Sequence, residues 1–247
     1  MTRRANHRVR ATAMAVIAMI GFAACSSNGN GDGSGNGSGN GSGNGNGSPA
    51  QVDADGTTQM DGGVLQTQID ALPLATLTAD QEAGLLRMRE EEKLAHDVYV
   101  ALYDQWQVKT FSNISKAELT HSEAVKVLLD RYELDDPAAG NADGVFTNPD
   151  LQALYTALVE QGSESLVAAL TVGATVEDLD IADLQSLATT APDITLVYDN
   201  LEKGSRNHLR AFTKQLVKNG ATYTPAYISQ ADYDAIIAGE MEKGIAG

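Results

Sequence analysis

The chain of 247 residues contains a single cysteine, Cys25, which excludes an internal disulfide framework and a zinc site built from Cys-x-x-Cys pairs. Aromatic residues make up only 5% of the chain, and no apolar run beyond the N-terminal segment is long enough to span a bilayer. Basic residues are also few, since 17 Lys and Arg oppose 33 Asp and Glu for a formal net charge of −16. So acidic a chain repels phosphate backbones, and we therefore expect no nucleic-acid partner.

Residues 1–24 have the pattern of a signal peptide. A basic segment with four arginines precedes the apolar stretch ATAMAVIAMIGFA, and small residues come directly before Cys25. The string FAAC resembles the lipobox of bacterial lipoproteins, in which the cysteine is diacylated and becomes the mature N-terminus. We therefore expect an exported protein that a lipid on Cys25 anchors to the bacterial membrane or envelope, with ordinary secretion as the alternative.

The composition of residues 25–72 predicts a flexible tether behind the lipid. Glycine alternates mainly with Asn and Ser from Asn28 to Ser48, and such a segment has no side chains with which to build a core. Its expected reach is roughly 25 Å, from the square-root dependence on length of a flexible chain. Residues 51–71 are acidic and rich in turn-forming residues, and this composition does not decide whether the segment is folded or flexible.

Proline divides the remainder into helices. All six prolines lie outside helical patterns, and the long stretches between them are rich in Ala, Leu, Glu and Gln. The sequence therefore predicts an all-α domain over residues 73–247, and a capping box at Thr78 and Gln81 begins its first helix. Short links favour two antiparallel helix pairs, so the expected fold is a ferritin-like four-helix bundle with one long crossover. The predicted helices cover residues 78–106, 115–132, 149–161 (the extra helix of the crossover), 163–188, 192–217 and 230–242 (a short C-terminal helix).

Ligand-type residues lie on the apolar stripe of each of the four long helices. Residues three, four and seven apart share a helix face, which places these side chains inward. Burying an isolated carboxylate costs roughly several kcal/mol, so these inward-facing side chains are tolerable only if they share a common partner such as a metal ion. Carboxylate and imidazole ligands suit iron or manganese. The predicted metal ligands are Glu92 on the first helix, Glu118 and His121 on the second, Glu177 on the third and His208 on the fourth.

Each of these residues also has an ordinary structural interpretation. Ser115 and Glu118 fit a capping box, which would leave Glu118 exposed to solvent. Either histidine could be a hydrogen-bonded core residue. Glu92 belongs to an EEE run typical of a solvated turn, and Glu177 lies among aspartates that suit an acidic surface patch. The coincidence of ligand-type residues on four helices favours the metal site.

Three further residues are expected beside the ligands. His96 lies one helical turn after Glu92 but off the centre of the stripe, so it suits a supporting role better than direct ligation. Tyr99 is expected to pack in the core and could donate a hydrogen bond to a metal-bound carboxylate. Ser205 lies three residues before His208, where a second Glu-x-x-His pair would need a glutamate.

Four strings of the sequence, EEEKLAHDVY, AELTHSEAV, VGATVEDLDIADL and GSRNHLRAF, resemble the bacterial and archaeal ferritin-like family known as domain of unknown function 2202. The resemblance covers about residues 77–243 and implies a four-helix bundle. The superfamily pattern is Glu, Glu-x-x-His, Glu and Glu-x-x-His on successive helices, and it implies the same five ligands. Because Ser205 replaces the sixth, the site would hold one ion, or an unsymmetrical pair completed by water.

Together these features predict a membrane-tethered extracytoplasmic protein that binds iron or manganese. Such an ion would suit oxidase or peroxidase chemistry, and the sequence identifies no catalytic residue or protein partner. The alternative is a non-enzymatic acidic envelope module whose polar core holds no metal. On the outer side of the helix over residues 192–217, basic residues predict a solvated face, with docking to an acidic partner as a lesser alternative. These residues are Lys203, Arg206, Arg210, Lys214 and Lys218.

Overall fold

The computed structural model describes residues 50–52, 58–60 and 62–244. The predicted signal peptide, the lipidation site at Cys25 and most of the predicted tether lie outside these residues. Within the described part, no helix combines the length and the apolar character that crossing a membrane requires.

Helices dominate the described part of the chain, as the all-α prediction requires. A short antiparallel ribbon of β1 (Ala50–Val52) and β2 (Thr58–Met60), in which Ala50 pairs with Met60, comes before them. The helices are α1 (Gly62–Asp70), α2 (Ala79–Trp106), α3 (Lys109–Arg131), α4 (Pro149–Ser163), α5 (Leu166–Ser186), α6 (Pro192–Lys218) and α7 (Gln230–Ala238).

Capping side chains fix the start of two helices as predicted. The Thr78 hydroxyl accepts a hydrogen bond from the backbone N–H of Gln81, whose side chain accepts in return from the backbone N–H of Thr78. At the start of α4, the side chain of Asn148 accepts a hydrogen bond from the backbone N–H of Asp150. Pro149 suits the first helical position because it has no backbone N–H that would need an acceptor there.

The largest differences from the predicted boundaries lie in α3, in α7 and at the start of the helical region, whereas the ends of α4 and α5 differ by two or three residues. α3 begins at Lys109 rather than at residue 115, so a full turn precedes the expected start. α7 ends at Ala238 rather than at residue 242. Helical structure also begins before residue 73, because α1 buries Leu65 and Ile69 against the long helices. A nine-residue helix contributes too few apolar positions for its period to be recognised in the sequence.

The long helices pack in sequence-adjacent pairs, α2 with α3 and α5 with α6, and α4 covers α2 and α5. Their apolar side chains form two separate clusters. One contains Tyr99, Phe111 and Phe212, and the other contains Leu85 and Leu128. On each long helix, residues of one cluster precede and residues of the other follow the predicted ligands, so the polar side chains occupy the layer between two apolar regions.

The basic side of α6 is only partly the solvated face that the sequence predicts, since Lys214 and Lys218 are exposed but the other three basic residues are not. Lys203 is buried, and the guanidinium groups of Arg206 and Arg210 both bind the carboxylate of Glu242. The distances from Glu242 to Arg206 are 2.8 and 2.6 Å. The acidic partner of these arginines is therefore the C-terminal segment of the same chain.

Candidate metal centre

The five predicted ligands lie together in the polar layer between the two apolar clusters. Each is almost fully buried, with 2% exposure or less. They reach the layer from four helices because each occupies the inward stripe of its own helix. These side chains are Glu92 on α2, Glu118 and His121 on α3, Glu177 on α5 and His208 on α6.

Glu118 is the centre of the group. Its Oε2 atom lies 2.8 Å from Nδ1 of His121, and its Oε1 atom lies 2.8 Å from Nδ1 of His208. One ligand atom from each of these three residues lies within 4.8 Å of the other two, so the three side chains could hold one metal ion. The two imidazole rings are stacked, with centroids 5.5 Å apart and planes 18° from parallel.

Two further glutamates lie beside this triad, Glu92 next to His121 and Glu177 next to His208. Glu92 Oε2 is 3.5 Å from Nδ1 of His121, and Glu177 Oε2 is 3.6 Å from Nδ1 of His208. The second oxygen of Glu92 is buried and has no hydrogen-bond partner among the described residues. An orphaned buried oxygen beside an imidazole is what a site for a cation requires, since the ion would supply the missing partner.

Burial and charge shift the pKa values of the three carboxyl groups in different directions. Burial favours the neutral form and raises the pKa of Glu92 to about 7 and that of Glu177 to about 8. Burial acts in the same direction on Glu118, but His208 and His121 outweigh it and hold the pKa of Glu118 well below its usual range. Glu118 is therefore the carboxylate that stays ionised.

The histidines respond to the same charges. Burial would lower their pKa values, but the neighbouring carboxylates reverse this effect. Glu118 raises the pKa of His121 well above its usual value, and Glu118 followed by Glu177 raises the pKa of His208 to about 9. The carboxylates of the metal-free site therefore favour the protonated form of both imidazoles.

The three residues expected beside the ligands have different environments. Tyr99 is buried and donates a hydrogen bond of 2.5 Å from its hydroxyl to Oε1 of Glu177. Ser205 does not touch a predicted ligand in this way, and its hydroxyl donates to Oδ2 of Asp180 at 2.5 Å. Nδ1 of His96 lies 2.6 Å from the backbone oxygen of Ser115 and outside the triad.

The ordinary interpretation of Glu118 as an exposed helix cap is wrong. Val108 occupies the N-cap position of α3 without a capping side chain, and Glu118 lies well inside the helix with 2% exposure. Its proposed capping partner, Ser115, donates instead to the backbone oxygen of Ser112.

The solvated EEE turn and the acidic surface patch also do not hold. Glu90 and Glu91 are buried beside Glu92, so all three glutamates of the run lie inside the protein. In the other acidic stretch, Glu177 and Asp178 are buried as well.

Gly204 is part of the site but was not among its predicted residues. A Cβ atom at this position of α6 would lie 2.5 Å from Cε1 and 2.9 Å from Nε2 of His121. Only glycine therefore allows α6 to approach the imidazole of α3 so closely. A lone glycine one turn before His208, inside a helical pattern, is the sequence signal that could have indicated it.

The donor set of oxygen and imidazole nitrogen fits a divalent transition metal. Carboxylates and imidazoles together bind iron, manganese or zinc, whereas structural zinc sites usually contain thiolates, which this layer lacks because the single cysteine is Cys25. Glutamates from two helices combined with Glu-x-x-His spacing are the ligand pattern of helical-bundle carboxylate centres. The residues present therefore fit an ion of this class.

Comparison of the sequence and comparison of the fold with known proteins lead to the same relative. The family model described as "Uncharacterized protein domain (DUF2202)" matches residues 81–240. The chain is 50% identical over 179 residues to Uncharacterized protein MJ0754 of Methanocaldococcus jannaschii, covering 72% of this chain and 97% of that protein. The crystal structure of that hypothetical protein is similar to this fold with a TM-score of 0.68, over 70% of this chain and 99% of the other. The chain therefore belongs to the DUF2202 family.

Proposed function

We propose that this protein is a ferritin-like four-helix metalloprotein that binds iron or manganese in its interior. The observation that carries the proposal is the position of Glu118, whose two carboxylate oxygens each lie 2.8 Å from Nδ1 of a different buried histidine. Three ligands from two helix pairs thus converge on one point. The pairing of α2 with α3 and of α5 with α6 supports the bundle architecture.

The charges of the site support the exchange of protons for a divalent ion. His121 and His208 both have raised pKa values, so they carry protons at neutral pH in the metal-free protein. Metal binding needs neutral imidazoles and releases these protons. Two positive charges leave as one divalent ion binds, so the buried carboxylates keep a balanced environment.

Each residue has a defined part in holding the ion. Glu118, His121 and His208 would be the ligands of the ion. Glu92 and Glu177 would add the negative charge that balances it. Tyr99 orients Glu177 through its hydrogen bond of 2.5 Å. When bound, iron or manganese supplies a redox-active Lewis acid, which is the basis for proposing oxidase or peroxidase chemistry. The apolar clusters above and below the layer exclude bulk water from it.

The proposed location outside the cytoplasm rests on the sequence alone. The signal peptide of residues 1–24 would direct export and then be removed, and the lipid on Cys25 with the glycine-rich segment would hold the helical domain near a membrane surface.

Metal analysis of the protein purified without chelator tests the proposal. The wild-type chain should contain iron or manganese, whereas Glu118→Ala and His121→Ala should lose it. Glu123→Ala provides the matched control, because Glu123 lies on the same helix with an exposed side chain and should leave the metal content unchanged. Equal and near-zero iron and manganese in all four proteins would refute metal binding.

A thermal measurement separates the proposal from the metal-free module. An ion present at 100 times its dissociation constant stabilises the folded state by about 2.7 kcal/mol, so excess EDTA should lower Tm by roughly 5–10 °C. An unchanged Tm after EDTA would instead support an acidic module whose histidines and glutamates form a polar network without an ion.

A further inference from the structure

The segment of residues 239–244, which follows α7, lies along one side of α6. It has no helical structure, and it contacts side chains that recur three or four positions apart and so share one face of α6. We call these four side chains the α6 groove: Lys203, Arg206, Asn207 and Arg210.

Two buried side chains of the groove bind the main chain of the segment. Nδ2 of Asn207 donates to the backbone oxygen of Glu242 at 3.0 Å, and its Oδ1 accepts from the backbone N–H of Glu242 at 2.9 Å. The ammonium group of Lys203 donates to the backbone oxygen of Gly244. Asn207 is fully buried and Lys203 is 4% exposed, so the groove has polar groups placed inside the protein to hold a peptide.

The two arginines of the groove select a carboxylate. Nε and Nη2 of Arg206 donate to the two oxygens of Glu242 at 2.8 and 2.6 Å, which is a bidentate pair. Both terminal nitrogens of Arg210 donate to Oε1 of Glu242 at 3.0 Å. The groove therefore recognises a glutamate together with the peptide group that carries it.

The attachment of the segment permits exchange. The side chain of Glu242 is 30% exposed and that of Arg206 is 24% exposed. Ion pairs with this exposure contribute less than about 1 kcal/mol. Residues 239–241 are the whole connection between the end of α7 and Glu242, so the segment can leave the groove while every helix stays folded.

The groove and the segment differ in their relation to the family. The family model matches residues 81–240, which include all four side chains of the groove. Glu242 and Gly244 lie beyond the match. The contacts described above also involve only the segment itself and α6, so a ligand for the groove need not come from the same chain as the groove.

We propose that the α6 groove binds residues 239–244 of a second copy of this chain, so that two copies exchange these segments and form a dimer. Exchange loses none of the contacts, because the second copy supplies the same glutamate and the same peptide groups. Each copy has one groove and one segment, and the reciprocal exchange therefore closes at two copies. The lipid proposed on Cys25 would hold the copies at one surface and raise their local concentration.

Two full-length variants with complementary defects test the inference. Arg206→Ala combined with Arg210→Ala removes the charges of the groove and keeps the segment, whereas Glu242→Ala keeps the groove and removes its ligand. In sedimentation velocity, the wild type should shift from monomer to dimer as its concentration rises, and each variant alone should stay monomeric. An equal mixture of the variants should contain a heterodimer, because one intact groove then meets one intact segment.

Glu240→Ala is the matched control for the substitution in the segment. Glu240 is exposed and lies two residues before Glu242, so its removal should leave the dimerisation of the full-length chain unchanged. Circular dichroism spectra that match the wild type establish that the variants fold.

A synthetic peptide of residues 239–244 shows whether the heterodimer forms through the groove. Excess peptide should dissociate the heterodimer and bind the full-length Glu242→Ala chain in fluorescence anisotropy. The same peptide with Glu242→Gln should bind about tenfold more weakly, because it lacks the charge that the arginines select.

Two results would overturn the inference. Variants that remain monomeric in the mixture would show that the segment serves only its own chain. A heterodimer that persists in excess peptide would show that the copies associate through another surface. Neither result depends on an ion, so metal binding by Glu118, His121 and His208 stands or falls separately.

Discussion

Two groups of buried carboxylates in this protein differ in what their oxygens contact. Glu90 and Asp178 accept hydrogen bonds from the backbone and so fasten loops to helices. Glu90 accepts from the N–H groups of Thr147 and Asn148 at 2.5 and 3.0 Å, which fixes the crossover before α4. Asp178 accepts from the segment before α7, namely from the hydroxyl of Tyr223 and the N–H groups of Ala226, Tyr227 and Ile228.

The carboxylates of the central layer instead face imidazoles, hydroxyls and one another. Glu118 contacts two histidines, Glu177 accepts from Tyr99, and Asp180 accepts from Ser205. Burial of an acidic side chain is thus not by itself a sign of metal binding. The partners decide, because backbone N–H groups satisfy a carboxylate permanently, whereas an incompletely satisfied set leaves oxygens for an ion.

The fastening group should give the largest loss of stability when it is altered. Asp178→Ala leaves the buried N–H groups of Ala226, Tyr227 and Ile228 without their charged acceptor, and the free energy of unfolding should fall by about 3 kcal/mol or more. Urea unfolding monitored by circular dichroism measures the change. Asp234→Ala on the exposed side of α7 is the control and should stay within about 0.5 kcal/mol of the wild type. Equal stability of the two variants would remove the distinction between the groups.

Two neighbouring glutamates on α2 should respond with opposite sign to the same substitution. In EDTA above pH 7, Glu90→Gln weakens charge-assisted bonds to the backbone and should destabilise the fold by about 1–2 kcal/mol. Glu92→Gln removes a buried charge whose pKa burial raises to about 7, and it should stabilise the metal-free protein by about 1 kcal/mol.

The metal-loaded protein reverses the second result, which sharpens the comparison. Glu92→Gln should then bind the ion more weakly and lose its advantage in Tm, while Glu90→Gln should show the same metal affinity as the wild type. Destabilisation by both substitutions in EDTA would place Glu92 with the fastening carboxylates.

A partly exposed carboxylate provides the smallest expected effect. Burial opposes ionisation of Glu242, but the hydrogen bonds and charges of Arg206 and Arg210 hold its pKa below the usual 4.5. A lowered pKa means that the stabilisation is present above about pH 4.5 and is lost as pH falls through the folded-state value. The loss should be less than about 1 kcal/mol, as for other exposed ion pairs.

Comparison of wild type with Glu242→Gln measures this effect. The difference in unfolding free energy between the two proteins should shrink as pH falls from 6 to 3, since the glutamine has no charge to lose. A constant difference over that range would show that the arginines do not stabilise the ionised form.

The fold was largely accessible from the sequence. The capping box at Thr78 and the Asn148 and Pro149 pair set the starts of α2 and α4, because caps depend only on residues a few positions apart. The early start of α3 and the existence of α1 were missed. The start of α3 was missed because Val108 has no capping side chain. The helix α1 was missed because Leu65 and Ile69 are buried only through their contact with the long helices.

The sequence by itself determined which residues lie on inward faces, since helical periodicity is local, and it thus predicted that Glu92, Glu118, His121, Glu177 and His208 share one layer. Only the tertiary structure decided which oxygens the backbone satisfies and which it does not. Glu90 and Glu92 belong to the same run of three glutamates, yet one fastens a loop and the other faces an imidazole. That difference depends on segments distant in sequence, and so does the pairing of Ser205 with Asp180 across two helices.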